Sequence, residues 1–117
     1  MQVIKIISIL IITFYFIFSI VLASGDAEKG KILFNEPKLG GGTTGSSCGS
    51  CHPDGRGLEK IADKKEFNLA GKKQKSLEEA INVCILNALK GQAIDPKSDQ
   101  MKDLVAYIKS LRKKTSE

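Results

Sequence analysis

The feature that most constrains this chain is the pentapeptide Cys48-Gly49-Ser50-Cys51-His52. Two thiols at C-x-x-C spacing can add across the two vinyl groups of a haem, and the adjacent histidine then faces the iron. A chain that carries haem this way must wrap it, because a flat apolar plate becomes the centre of the core. His52 is the only histidine, so no second imidazole competes for the role. The pentapeptide therefore predicts one covalently bound haem c, with Cys48, Cys51 and His52 as its attachment and ligand residues.

Two other chemistries use such a cysteine pair. A thioredoxin-like redox pair sits between a strand and a helix, whereas Gly40 to Ser47 reads as a Gly/Ser/Thr loop. A closed zinc site needs four ligands, and Cys48, Cys51, His52 and Cys84 would make four by counting alone.

The N-terminus favours haem through compartment. Lys5 precedes an apolar run from Ile6 to Leu22, then Ala23, Ser24 and Gly25 precede the charged stretch opened by Asp26. That order reads as a secretory signal peptide, residues 1–23, cut after Ala23, with 24–117 as a monohaem domain in the periplasm or otherwise exported. The competing reading is an uncleaved membrane anchor, since the run is just long enough to span a bilayer. Phe14, Tyr15, Phe16 and Phe18 leave with the signal, and there is no Trp. Phe34, Phe67 and Tyr107 remain, few large side chains for a small core, so a buried prosthetic group would supply what they do not.

Periodicity predicts helices. Ser76-Leu77-Glu78-Glu79 has the form of a capping box, and Leu77, Ala80, Ile81, Cys84, Ile85, Ala88 and Leu89 follow on one face, up to Gly91. Asp95-Pro96 makes a turn, and Ser98 caps a last helix with Met101, Leu104, Val105, Ile108 and Leu111 as its buried stripe. Between His52 and Ser76 the chain is polar and lysine-rich, with a short helix expected near Leu58 to Asp63. No strand pattern or internal repeat is visible. The expected fold is all-α, three or more helices around one haem.

The far side of the iron decides between electron transfer and binding of small molecules. Beyond the signal, the candidate distal ligands are Cys84 and Met101. Met101 falls inside the stripe of the last helix, where a packing role suits it. Cys84 lies on the apolar face of its own helix, and a small buried hydrophobe or an intermolecular disulfide are the other readings.

The chain from Asp26 to Leu111 resembles the class I c-type cytochromes. Asp26-Ala27-Glu28-Lys29-Gly30-Lys31-Ile32-Leu33-Phe34 is similar to their first helix, and Leu104 to Leu111 to their last. The resemblance implies that these helices cross near the haem, with Gly30, Phe34 and Tyr107 at the crossing. Ile81-Asn82-Val83-Cys84-Ile85, Leu89-Lys90-Gly91 and Ser98 to Tyr107 resemble the cytochrome domains of SoxA and thiosulfate dehydrogenase. In size and single haem the chain also looks like the small NaxLS-type cytochromes with His/Cys-ligated iron. That subgroup implies Cys84 on the iron opposite His52, with Met101 as the alternative.

The function expected is electron transfer, as the haem subunit of a small redox complex and without catalysis of its own. A CO- or NO-binding haem protein or sensor is the alternative, and a subunit of a sulfur-compound-oxidising enzyme ranks third, on resemblance alone. The expected partners are a redox protein and, by resemblance, a second small cytochrome in a heterodimer. Nucleic acid is not expected, and a membrane only if the signal is uncleaved. Net charge is +5, and Lys60, Lys64, Lys65, Lys72, Lys73 and Lys75 would steer an acidic partner or simply keep the domain solvated. Arg56 and Lys60 face solvent or reach a haem propionate.

Overall fold

Asp26 starts the ordered domain. Its Oδ1 accepts the backbone N–H groups of Glu28 at 2.9 Å and Lys29 at 3.2 Å, which caps helix α1, Ala27–Phe34. The computed structural model describes residues 2–5 and 24–115. The apolar run from Ile6 to Leu22 and the cut expected after Ala23 lie outside the described residues. Among those residues no helix is long and apolar enough to cross a membrane.

After α1 come a 3-10 turn, Leu39–Gly41, and the one-turn helix α2, Cys48–Cys51. Two further 3-10 turns, Pro53–Gly55 and Ile61–Asp63, lead to strands β1, Phe67–Leu69, and β2, Lys72–Gln74. Helix α3 spans Leu77–Asn87, and α4 spans Asp99–Ser110 before a 3-10 extension, Leu111–Thr115. Ser76 Oγ accepts Glu79 N–H at 3.1 Å, and Ser98 Oγ accepts Met101 N–H at 3.2 Å, so both helices begin where the sequence predicts.

The defining contact is the crossing of α1 and α4. Gly30 is buried there, and a Cβ on it would meet the Asp103 carbonyl oxygen and, at 2.8 Å, the Tyr107 Cβ. A hydrogen in place of a side chain lets the two backbones close up. Phe34 and Tyr107 then pack edge to face with ring centres 5.1 Å apart and planes at 61°. Asp103 Oδ1 accepts the Asp26 N–H at 2.7 Å and fastens the start of α1 to α4.

Around this crossing Leu39, Ile81, Ile85, Leu89, Met101, Leu104, Ile108 and Leu111 form one buried cluster. Each such side chain contributes roughly 1.5–3 kcal/mol when fully buried. On the other side of the fold, the Arg112 guanidinium pairs with Asp63 and ties the C-terminal extension to the Ile61–Asp63 turn.

Three features depart from the sequence reading. The lysine-rich segment holds an antiparallel hairpin, with Phe67 opposite Gln74 and Leu69 opposite Lys72. Its turn, Ala70-Gly71, places both residues at positive φ, 52° and 73°, the geometry of a tight two-residue hairpin loop. The short helix expected over Leu58 to Asp63 narrows to the 3-10 turn Ile61–Asp63. Helix α3 stops at Asn87, well before Gly91. Beyond it Gly91 N–H donates back to Ile85 O of α3 at 3.1 Å, and the Gly/Ser/Thr loop takes the next two carbonyls: Thr43 N–H donates to Leu89 O at 2.9 Å, and Thr44 Oγ1 donates to Ala88 O at 3.2 Å.

Candidate haem-binding site

Helix α2 is a single turn, which puts Cys48 and Cys51 on one side of it three residues apart. Ser47 N–H donates to Ser50 Oγ at 2.9 Å and fixes the entry to this turn. Cys48, Cys51 and His52 all line a cavity of about 420 Å³. That volume lies within the range of sites that enclose a cofactor. Its other walls are hydrocarbon: Phe34 and Leu104 from the helix crossing, Leu58 and Ile61 from the following turn, Phe67 and Leu69 from β1. Helix α3 closes it with Leu77, Ala80, Ile81 and Cys84, and the turn that follows adds Ala88 and Leu89.

The His52 ring is oriented by the backbone. Its Nδ1 lies 3.0 Å from the Arg56 carbonyl oxygen. A carbonyl only accepts, so Nδ1 carries the proton and the Nε2 lone pair is free to bind a metal. Arg56 therefore serves through its carbonyl, a role that side-chain reasoning about propionates could not find.

Cys84 faces the same cavity as the attachment cysteines. Counted over the whole residue it is exposed, but it lines the cavity and its thiol is shielded enough that burial pushes the pKa up, with Cys51 adding to the effect. Cys48 is pushed up to about 11, first by burial and then by the Cys84 thiol beside it. Cys48 and Cys84 thus share poorly solvated space, beside the exposed Cys51. Both shifts favour the neutral thiol; a thioether bond would remove the ionisable proton altogether, and a bound cation would reverse the preference.

Met101 is elsewhere. It is wholly buried at 0% exposure within the hydrophobic cluster, and does not line the cavity. Asn82, two residues before Cys84, is turned away from the cavity by helical geometry. Its amide donates to Ile94 O and accepts Ile94 N–H, both at 2.9 Å, which staples the α3–α4 connection to α3. Lys60, Lys64, Lys65, Lys72, Lys73 and Lys75 are all exposed, and Lys73 pairs with Glu66 at 2.7 Å.

These donors do not converge on a point. Among the described residues no cluster of three or more His, Cys, Asp and Glu side chains is arranged to hold a metal ion. The thiols and the imidazole are instead spread around an apolar cavity. A plate that accepts bonds from Cys48 and Cys51 at its edge and from His52 at its metal fits that arrangement. Haem c meets this description, and it would supply a one-electron iron couple.

An apolar cavity with a C-x-x-C-H turn on its wall, under crossing terminal helices, defines a c-type cytochrome. The family described as SoxA/TsdA, cytochrome c domain, matches residues 29–115, and the chain belongs to it. Comparison with curated proteins and with solved structures found no match. Membership makes this a small, mostly α-helical haem electron-transfer protein, with the hairpin as its only strand pair among the described residues.

Proposed function

We propose that this chain is an exported, one-haem c-type cytochrome that passes single electrons as the haem subunit of a small redox complex. In this reading Cys48 and Cys51 would bond the haem, and His52 and Cys84 would hold its iron. The observation that carries the ligand assignment is a contrast in position: Cys84 lines the cavity, whereas Met101 is sealed in the core behind it.

Each residue has a separate task. The Arg56 carbonyl holds the His52 ring in the tautomer that presents Nε2. Cys84 offers sulfur from within α3, one face of which is anchored through Asn82. Around it the hydrocarbon walls keep water from the iron. A Cys84 thiolate on the iron would bring a negative charge favouring ferric over ferrous iron, and would hold the reduction potential well below that of a methionine-ligated centre. The exposed lysines of the 60–75 segment favour an acidic partner during encounter.

The test is an absorption spectrum and a potentiometric titration of the haem-loaded protein. Cys84→Ser should remove the thiolate features and raise the potential, and Met101→Leu should change neither. The opposite pattern would make this a His/Met cytochrome.

A further inference from the structure

The residues ahead of α1 are seated on α4. Gly25 lies so close to it that an added Cβ would overlap the Lys102 carbonyl oxygen and come within 2.7 Å of the Asp103 nitrogen. From the next position Asp26 N–H donates to Asp103 Oδ1 at 2.7 Å. Beside these contacts Ser24 lines an open cleft of about 510 Å³, which shares no lining residue with the haem cavity. The charged walls of the cleft are Asp26 and Lys29 on the α1 side and Asp99, Lys102 and Asp103 on the α4 side. Three carboxylates against two ammonium groups leave it one negative charge in excess. Oδ1 of each carboxylate is engaged: in Asp26 by the cap of α1, in Asp103 by the Asp26 N–H, and in Asp99 by Lys102 at 3.5 Å. The second oxygens are left to meet an added cation.

We infer that this cleft is the seat of the processed N-terminus: with the leader removed after Ala23, the Ser24 α-ammonium supplies the balancing cation and fastens α1 to α4. The inference rests on the exported reading above. A leader-removing peptidase adds water across the Ala23–Ser24 peptide bond, leaving a carboxylate on Ala23 and an ammonium on Ser24. Before that cut the Ser24 nitrogen is a neutral amide, so the charge appears only on processing. The register of the cut matters as well, since cleavage two residues later would remove Gly25 and its contact with Lys102. The positive end of the α4 dipole opposes a cation here, and Asp99 in the first turn offsets that end.

The experiment uses haem-loaded protein exported from the full-length chain. Mass spectrometry of the intact protein gives its first residue, expected to be Ser24. The α-amino group is then titrated by NMR after isotopic methylation of the amines. It should titrate above the usual range of about 7.7–8.0, because the carboxylates favour its charged form. A folded pKa raised above the unfolded one adds stability that is fully present below about pH 8 and is lost as pH rises through the folded value. Tm should therefore fall across that window. Asp99→Asn should bring the titration back toward the usual range. Inserting Gly-Ser between Ala23 and Ser24 should do the same and abolish the fall in Tm, since the ammonium then starts two residues outside the cleft. An α-amino group that titrates in the usual range, or that neither change moves, would overturn the seat while leaving export intact. A mature chain beginning after Ser24 would overturn it too. A protein that keeps its leader would overturn the processing, and the inference with it.

Discussion

Gly30→Ala is a sharp perturbation of the fold, because one methyl group tests a close backbone approach, the tightest at any glycine among the described residues. Two opposing effects set its size. Alanine is the better helix former by about 1 kcal/mol, which alone would stabilise α1. Against this, the new Cβ would overlap the Asp103 carbonyl oxygen and press the Tyr107 Cβ. Those atoms belong to the α4 backbone and the root of a side chain, so they cannot swing aside. Overfilling a tight core contact costs about 1–3 kcal/mol or more, and rigid partners put this site at the upper end. The net loss should be about 2 kcal/mol, or roughly 8–16 °C in Tm for a domain of this size. Thermal unfolding of the haem-loaded protein, followed by far-UV circular dichroism, measures it. Gly45→Ala is the control: φ is +77° and nothing lies within 4 Å of its Cβ, so it carries a backbone cost alone of roughly 1 kcal/mol. If Gly30→Ala melts at or above the parent temperature, the helix crossing is looser than described and the steric reasoning fails.

Three further outcomes follow from side-chain environment. Tyr107 Oη is buried without a hydrogen-bond partner, so Tyr107→Phe should keep the edge-to-face pair and raise stability by about 1 kcal/mol in chemical denaturation; a loss of that size would reveal a bridging water. Asn82→Ala strands both backbone groups of Ile94 and should cost about 2 kcal/mol, with faster amide exchange at Ile94 as the local signature. Met101→Leu nearly conserves volume at a fully buried site, so denaturant midpoints should shift by less than about 1.5 kcal/mol.

Much of this protein was written locally in its sequence. The C-x-x-C-H run specifies covalent chemistry within five residues, and Ser76 and Ser98 cap helices through atoms three residues away. The pairing of Gly30, Phe34 and Tyr107 was legible through resemblance, and the structure supplies its cause in the overlap a Cβ would make. Other features depend on contacts between distant segments. Ala70-Gly71 is a weak turn signal, and the hairpin it joins gains its purpose only when Phe67 and Leu69 meet α3 across the cavity. Gly91 returns a hydrogen bond to Ile85 at the end of α3, and Thr43 and Thr44, from a distant loop, take the carbonyls that follow. Arg56 works through a carbonyl, and the identity of its side chain carries no trace of that. Cys84 and Met101 both lie on apolar helical stripes, so periodicity could say only that each is turned inward. Which one faces the cavity and which faces solid core depends on how α3 and α4 are rotated against the rest of the fold, and that rotation is fixed only when the helices pack.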